Sequence, residues 1–509
     1  MMNAVDKIVG FFNPQKGLAR AKSRRALKIM ARYEATKPGR QIKNPAEFRD
    51  ANSVNEGQVK TLRGQARHLD TNYDFVSGGL DVLVRNTVGS QGISVIPLPR
   101  DAEGKLNKEL AKELRRLWAD WCHHPEVSKQ HNWATANQLV ARSLYRDGEV
   151  FCKSVIGNIA GLDHQTQVPY SLELLEADYC PDDLTSARTV QGIEFNAWSQ
   201  PVAFYFTDNH PGGSSYSMNV RRISAARVDH LKMVKRLGQA RGITPLASAI
   251  NRLNALAEYE HHEQVAAAIG ASMAAYIQKG DAGEWAAPVD ENNQLIDINR
   301  DFQINGTSIF ELEPGETMGT LTNNRPSGLM TPYVQYMMKG FSAAIGTSHS
   351  STAKDYDGTY SAQRQELVEQ TENYKLLTNV IVSKWVRPVW RRFVETALLI
   401  LPAELWIDLD QSSLFDAVYM GPQMPWIDPK KEADAFEKLV ALNVASPQEI
   451  ITKRGLNPAD VLDQIEEWLA ECETRGIPIN MGQGPASPIE NKDSSIENDD
   501  EETQPNTED

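Results

Sequence analysis

Two adjacent histidines in an acidic stretch are the first residues whose types could support chemistry. The segment "EYEHHEQ", residues 258–264, places His261 and His262 among three glutamates. A zinc-protease helix needs its second histidine four residues after the first, so that both imidazoles reach one ion. The residue four positions after His262 is Ala266, and the pair formed by Glu258 and His262 could supply at most half of a site. We therefore expect a solvated or inter-subunit helix face, and no metal site.

A second cluster of metal-ligand residue types follows the helical pattern of residues 106–121. The segment "CHHPEVSKQHNW" brings together Cys122, His123, His124 and His131. Adjacent histidines before a proline match no recognised ligand spacing, so this cluster is typical of a helix end and a turn. A metal-dependent hydrolase that uses the histidine clusters is the enzyme alternative.

Other catalytic motifs are absent or incomplete. The sequence contains no phosphate-binding G-x-x-x-x-G-K-[ST], no G-x-S-x-G and no G-x-G-x-x-G after a strand. Ser351 and Lys354 form an S-x-x-K pair, but its partner motifs are missing and the segment has the character of a loop. We expect no enzyme activity and no cofactor.

Charge is distributed very unevenly along the 509 residues. The formal net charge is -14, yet residues 16–43 contain ten Lys or Arg and one acid, whereas residues 489–509 contain nine acids and one base. The remaining body is acidic, which argues against tight DNA binding through a basic groove. DNA that passes near such a body without adhering is compatible with this charge.

Cysteine usage and hydropathy indicate where the protein is made. Four scattered cysteines without C-x-x-C spacing are typical of a reducing compartment. The N-terminus has no signal-peptide pattern, and the most apolar run, residues 265–277, falls short of the roughly 20 residues that cross a bilayer. We expect a protein that is made in the cytoplasm and has no membrane partner.

The periodicity predicts an α+β chain. Helical patterns precede residue 148, and between 148 and 235 four segments alternate apolar and polar residues with a period of two, as strands of an antiparallel or mixed sheet do. A helix of about 45 Å is expected from Pro245 to about Ala275, and a second helix from 331. These two helices bracket a segment with short strand patterns, including "YIQKG" and "SIFELEPGETM".

The second half of the chain is predicted to be mainly helical. Residues 347–360 are polar without periodicity and predict a loop, and a very long helix is expected from 361 to 400 with a kink at Pro388. Three short helices are expected in 429–475, and the composition after 477 predicts disorder. At the other end, the basic arm could form a helix from Leu18 to Tyr33.

An ordered set of segments resembles the lambda-type portal proteins of tailed bacteriophages over residues 60–470. The segments are "RNTVGSQGI", "LYRDGEVF", "LELLEADY", "GIEFNAWSQPVAFYF", "RLGQARGITPLASAINRL" with "YEHHE", "LEPGE", "NNRPS" and "DYDGTYSAQRQELVEQ". The resemblance implies a dodecameric ring at one capsid vertex, through which a terminase motor pumps double-stranded DNA and from which the DNA later leaves. It also implies the α+β portal fold, with an α/β wing, a helical stem, a small β-rich clip, a long kinked wing helix and a helical crown.

The resemblance divides the chain into nine segments. These are a basic arm at 1–59, a wing at 60–244, stem helices at 245–275 and 331–346, a clip at 276–330, a channel loop at 347–360, a long wing helix with a returning strand at 361–428, a crown at 429–476 and an acidic tail at 477–509.

The resemblance also implies partners and candidate sites. The partners are other copies of the chain, the terminase large subunit, the major capsid protein and scaffold, a head-tail adaptor and non-specifically held DNA, at the virion vertex and in the host cytoplasm during assembly. In the channel, Lys354 is a candidate for transient phosphate contact or is only a loop charge, with Lys339 and Arg364 flanking it. In the stem, His261, His262 and Glu258 are candidates for a subunit interface. A DNA-binding or capsid-wall protein that acts through the basic arm is the non-portal alternative.

Overall fold

Segments with period-two alternation form strands, and segments with three-to-four-residue periodicity form helices. The computed structural model describes residues 47–214, 219–271, 275–279, 291–292, 316–320, 328–423 and 429–477, together with residues 14, 15 and 22. Most of the basic arm, most of the 276–330 segment and the acidic tail lie outside these residues. No helix within the described ranges combines the length and the apolar character that crossing a membrane requires.

Helices and strands alternate irregularly along the chain. The helices are α1 (Ala51–Asn55), α2 (Val59–Asn72), α3 (Asp74–Thr87), α4 (Lys108–Trp121), α5 (Trp133–Asp147), α6 (Ile250–Ala271), α7 (Met330–Ile345), α8 (His349–Ala353), α9 (Tyr360–Ile381), α10 (Arg387–Ala397), α11 (Pro429–Ala441), α12 (Pro447–Lys453) and α13 (Pro458–Arg475). The strands are β1 (Ser94–Pro97), β2 (Glu149–Ile156), β3 (Tyr170–Glu176), β4 (Thr189–Val190), β5 (Ile193–Phe195), β6 (Pro201–Thr207), β7 (Val220–Ser224), β8 (Val228–Lys232), β9 (Ala275–Lys279), β10 (Glu316–Thr320) and β11 (Ala417–Met420).

The described chain divides into two units, of which the first contains residues 1–90 and 117–401. Two larger antiparallel sheets lie in this unit, with strand orders β3-β2-β8 and β4-β5-β6-β7, together with the two-stranded pair β10-β9. Phe151 of β2 and Phe204 and Phe206 of β6 pack edge to face with ring centroids 5.2–5.7 Å apart, so the inward faces of both sheets share one apolar core. Strand β2 is buried on both faces from Glu149 to Cys152 and becomes more exposed towards Ile156.

Aromatic rings form a second core in the same unit. Trp118 and Trp121 at the end of α4 stack at 4.7 Å, and Trp118 meets Trp390 and Phe393 of α10 edge to face at 5.2 and 4.9 Å. The indole N–H of Trp121 donates to the carbonyl of Tyr170 at 2.7 Å, so its one polar atom is satisfied while the ring is buried. This cluster fixes α10 against the end of α4.

The second unit contains residues 91–116 and 402–509. Its strands β1 and β11 pair antiparallel, with Ser94 opposite Met420 and Pro97 opposite Ala417. Three helices, α11 to α13, follow where the cap-like Ser and Asn residues predicted them, and Ser446 and Asn457 accept backbone N–H groups at two of the starts.

The helix expected from Pro245 to Ala275 is shorter than predicted. A 3₁₀ turn occupies Pro245–Ser248, and α6 has 22 residues, about 33 Å at 1.5 Å per residue, before strand β9 begins at Ala275. Strand β9 pairs antiparallel with β10, with Ala275 opposite Thr320 and Lys279 opposite Glu316. The continuous prediction was wrong because the alanines of this segment gave no stop signal.

The segment 347–360, predicted as a loop, contains the short helix α8. Ser348 caps it by accepting the backbone N–H of Ser351, and Lys354 ends it in a left-handed conformation with φ of 57°. A five-residue helix shows no apolar periodicity because it is held by its cap and not by an amphipathic face, which is why the sequence pattern missed it.

The interruption expected at Pro388 is confirmed. Residues Val382–Val386 form a π-helical turn between α9 and α10. Proline lacks the N–H that would bond the carbonyl four residues earlier, and a wider turn accommodates that loss.

The backbone approaches itself closely where α5 ends and β2 begins. Gly148 has φ of +88°, and a Cβ on it would lie 2.3 Å from the carbonyl carbon of Ile243. Gly242 mirrors this approach, because a Cβ there would lie 2.1 Å from the carbonyl oxygen of Gly148. Both positions therefore require glycine.

Replacing Gly148 by alanine should destabilise the first unit strongly. The matched control is Gly161→Ala, since Gly161 has φ of +85° and open space around its Cβ position. Both variants incur the strain of a left-handed residue, on the order of 1–2 kcal/mol, while Gly148→Ala adds an overlap costing about 2 kcal/mol or more. Urea unfolding of both variants measures the difference, and equal losses would show that the close approach is unimportant.

Candidate functional site

The residues proposed for the channel surround the short helix α8. Hydrogen bonds from Ser350 Oγ to Glu366 (2.7 Å) and from the Asn373 amide to the Gly346 carbonyl (2.6 Å) attach this segment to α9. Lys354 is exposed at the end of α8. These hydrogen bonds fix the backbone from which the exposed Lys354 side chain extends.

The other two channel candidates differ in their surroundings. Lys339 of α7 lines a pocket of about 390 Å³ together with Asp355, Asp357 and Glu366, so its charge lies among carboxylates. Arg364 is exposed on α9 and, like Lys354, does not line this pocket. All three cations are thus exposed, and of the three only Lys339 lines the pocket beside the loop.

The stem candidates are on the exposed face of α6. His262 Nε2 lies 3.8 Å from Glu258 Oε1, and the two side chains are 71% and 76% exposed. An ion pair this exposed contributes little to stability. Helix α6 also contacts α7, where the rings of Tyr259 and Tyr333 are 4.6 Å apart.

A buried charge cluster was not predicted from the sequence, and its centre is Glu149 at the start of β2. Its carboxylate accepts three hydrogen bonds, from Arg241 Nε (2.7 Å), from His230 Nε2 (2.9 Å) and from the Gly242 N–H (2.8 Å), and Arg241 Nη2 lies 2.6 Å away as an ion-pair contact. Burial alone would raise the pKa of Glu149, but the Arg241 charge and the His230 hydrogen bond hold it well below its usual range. Glu149 is therefore a buried carboxylate that stays ionised.

Arg241 is itself fully buried and serves three further acceptors. Its Nη1 donates to the carbonyls of Cys180 (3.0 Å) and Gln191 (2.9 Å), and Nη2 donates to that of Ala177 (3.0 Å). These carbonyls belong to the turns that follow β3 and β4. One guanidinium thus connects the two sheets of the first unit through its fork of donors.

A second layer of arginines comes from α2. Arg63 donates to Asp178 at 3.0 Å, and Arg67 contacts Asp147 and Asp178, each at 2.7 Å. The Arg67 guanidinium also lies 3.2 Å from Glu176. Alternating acids and arginines therefore extend from the core to the surface of the unit.

Among the described residues, one group has the composition of a cation site: Glu176, Asp178 and His210. The Gly212 N–H donates to His210 Nδ1 at 3.0 Å, so a neutral ring carries its proton on Nε2, which faces Glu176 at 3.4 Å and Asp178 at 3.8 Å. The Arg67 guanidinium is next to the same two carboxylates. Arg67 already pairs with both carboxylates, and this pairing favours a charge network over a metal centre.

The histidine cluster at Cys122–His131 forms the helix end and turn that the sequence indicated. Helix α4 ends at Trp121, and the carboxylate of Glu126 accepts N–H groups from Gln130 (2.7 Å) and His131 (3.1 Å). Within the described ranges, these histidines and Cys122 are not in a group of three ligands close enough for one ion.

Comparison with known proteins identifies the family. The family model for phage portal proteins of the lambda family matches residues 39–377. A probable portal protein of Halomonas phage phiHAP-1 is 25% identical over 473 residues, which cover 89% of this chain and 88% of that relative. The chain belongs to the lambda family of phage portal proteins, which are structural proteins of phage particles.

Solved structures give weaker similarity. The neck of a native gene transfer agent particle computed with C12 symmetry matches with a TM-score of 0.45 and 12% identity, over 79% of this chain and 94% of the other. The neck of an empty particle computed with C6 symmetry matches with a TM-score of 0.42 and 13% identity, over 84% and 100%.

The missed cluster was present in the segments that carry the resemblance. "LYRDGEVF" supplies Asp147, Gly148 and Glu149, "LELLEADY" supplies Glu176 and Asp178, and "RLGQARGIT" supplies Arg241 and Gly242. The available signal was the combination of acid, arginine and glycine at the ends of apolar strands, where charges are otherwise unexpected. These segments carry the family resemblance, but their spacing in the sequence does not show that they meet.

The stability of this cluster should depend on pH through His230. Burial lowers its pKa from 6.5 to about 4, although the Glu149 carboxylate opposes the shift. Between pH 6.5 and 4 the unfolded chain takes up a proton that the folded chain does not, so the free energy of unfolding falls as pH falls, by up to about 1.4 kcal/mol per unit.

Urea unfolding of wild type and His230→Gln between pH 4.5 and 7 tests this dependence. Glutamine can still donate to Glu149 but does not titrate, so the variant should lose less stability than wild type as the pH falls. Parallel curves for the two proteins would show that His230 is not responsible.

Proposed function

We propose that twelve copies of this chain form a ring at one vertex of the capsid and that double-stranded DNA passes through its channel during packaging and ejection. The observation that carries this proposal is the match to the lambda-family portal proteins over residues 39–377. The acidic chain, with a net charge of -14, supports it further, because a wall that repels phosphates lets DNA slide.

The portal layout assigns a role to each part of the chain. Residues 60–244 form the wing, α6 and α7 the stem and 276–330 the clip, while 347–360 form the channel loop, 361–428 the long wing helix with a returning strand and 429–476 the crown. The contact of α6 with α7 on either side of the β9–β10 pair supports the stem and clip assignment. The three terminal helices support a separate crown.

Subunit contacts in the stem involve His261, His262 and Glu258. All three side chains are exposed on α6 in the single chain, so they are available to a neighbouring copy. In the ring they pair across the interface or face the channel, as the packing of identical helices side by side requires.

Transient DNA contact involves Lys354 first, with Arg364 and Lys339 beside it. Lys354 is exposed on a segment that hydrogen bonds fix to α9. Lys339 is the weakest of the three candidates, because the carboxylates of Asp355 and Asp357 line the same pocket and offset its charge.

The ring docks the terminase large subunit during packaging and a head-tail adaptor afterwards, and it contacts the major capsid protein and scaffold at the vertex. The protein is in the virion and, during assembly, in the host cytoplasm. Family membership supports these partners. The basic arm, mostly outside the described residues, would contact DNA or the capsid wall in the alternative that involves no portal ring.

Electron microscopy and native mass spectrometry on the same purified sample test the ring. We expect rings with a central channel and a mass near twelve times that of one chain. A stable monomer or dimer in the presence of the capsid protein and scaffold would contradict the proposal.

Packaging assays test the channel contact. Lys354→Glu should lower the amount of DNA packaged by roughly 3- to 10-fold, the effect of losing about 1 kcal/mol of attraction at one phosphate. The matched control is Lys438→Glu on the exposed face of α11, which should package normally. Rings of normal size with unchanged packaging in Lys354→Glu would remove this residue from the channel contact.

A further inference from the structure

A groove of about 1090 Å³ in the first unit has no role in the functions above. Its walls include Val190 of β4, Phe204 of β6, Lys232 of β8 and Val380 of α9. Both sheets and the long helix therefore contribute to it. The volume is at or above the upper end of the usual range for small-molecule sites and suits a peptide segment.

The groove is positively charged, whereas the chain as a whole has a negative net charge. Arg188, Lys232 and Lys384 line it, and none of its described lining residues is acidic. The rest of the lining is apolar or neutral. Burial lowers the pKa of Lys232; the Glu149 charge opposes this shift and the nearby Lys384 charge adds to it, so an anionic occupant would stabilise the Lys232 ammonium.

An exposed tryptophan stands beside the groove. Trp198 is 86% exposed at the tip of the β5–β6 hairpin, between the lining residues Ala197 and Ser199. The Asn196 side chain accepts the N–H groups of Trp198 and Gln200, both at 2.9 Å, and thereby fixes the tip. An exposed tryptophan on a hairpin tip of fixed backbone is a typical anchor of a binding surface.

The groove requires an occupant with carboxylates and a few apolar side chains. Duplex DNA fits poorly, because it presents phosphates on a wide rod and the floor here is apolar. Residues 489–509 of this chain fit well, since they contain nine acids, one base and the isoleucines Ile489 and Ile496, each followed directly by an acid. This segment lies outside the described residues.

We propose that residues 489–509 of one copy dock in this groove on a second copy. Acids of the segment would face Arg188 and Lys384, and an isoleucine would contact the apolar floor beside Trp198. Such a contact joins two different surfaces of identical chains, the type of contact from which rings are built. The choice of a second copy therefore rests on the proposed ring, whereas the chemistry of the groove does not.

Disulfide trapping between two full-length, differently tagged copies tests the proposal. One copy carries Ser495→Cys and the other Ala197→Cys, and mild oxidation should link the two tags. The control acceptor is Ser224→Cys at the exposed end of β7, which should give at least 10-fold less product. Excess peptide 489–509 should compete, and raised salt should weaken the linkage.

Charge reversal on the acceptor copy separates docking from random collision. Arg188→Glu with Lys384→Glu should lower the yield about 10-fold, while Lys375→Glu, exposed on α9 and outside the groove lining, should not change it. Circular dichroism checks that each variant is folded.

The proposal is overturned if the yield of the linked product equals that of the Ser224→Cys control. It is also overturned if the yield does not change when the groove charges are reversed; the groove would then bind another partner. Normal rings without the linkage would refute only the docking, and the linkage without rings would refute only the portal assembly. The two failures are therefore distinguishable.

Discussion

The ionised carboxylate of Glu149 is fully buried, and the surrounding residues of the first unit offset the cost of burying its charge. Transferring an ion pair from water to a protein interior costs several kcal/mol per ion before any attraction is counted. Three hydrogen-bond donors at Glu149 and three carbonyl acceptors at Arg241 together offset that cost. The turns after β3 and β4, the start of β2 and the approach of Gly148 to Gly242 are therefore fixed together.

Strand β2 connects this charge cluster to the helical part of the unit. Further along the same strand, Ser154 Oγ lies 3.2 Å from Arg392 Nη1, and Arg392 forms a two-pronged pair with Asp229 of β8 at 2.6 and 3.0 Å. Helix α10 is thus held by a second, more peripheral ion pair as well as by the tryptophan core. An apolar replacement could match the stability of such pairs, but an arginine fork also fixes one geometry.

The features that were predicted correctly from the sequence are those whose signal lies within a few neighbouring residues. The apolar alternation around Phe151 and Phe204 indicated strands, and Pro388 indicated the break after α9, because both signals lie within a few residues of their effect. The end of α6 was missed, since the pairing of β9 with β10 involves residues about 40 positions apart. Glu149 and Arg241 are 92 residues apart, and only the folded chain shows that they meet. Lys354 was singled out by composition, yet its position at the end of α8 depends on Ser348 as a cap and on hydrogen bonds to α9.

The pairing of β1 with β11 makes the second unit dependent on two segments that are far apart in the sequence. About 320 residues separate Pro97 from its partner Ala417. A ribosome that adds roughly 5–20 residues per second needs about 16–64 seconds to cover that distance. During this time Val95 and Ile96 have no partner strand, although most of the first unit has already been synthesised. Completion of the second unit is therefore a late event in synthesis, and premature termination before β11 would release a chain with an unpaired apolar strand, the type of segment that chaperones bind and that aggregates when left free.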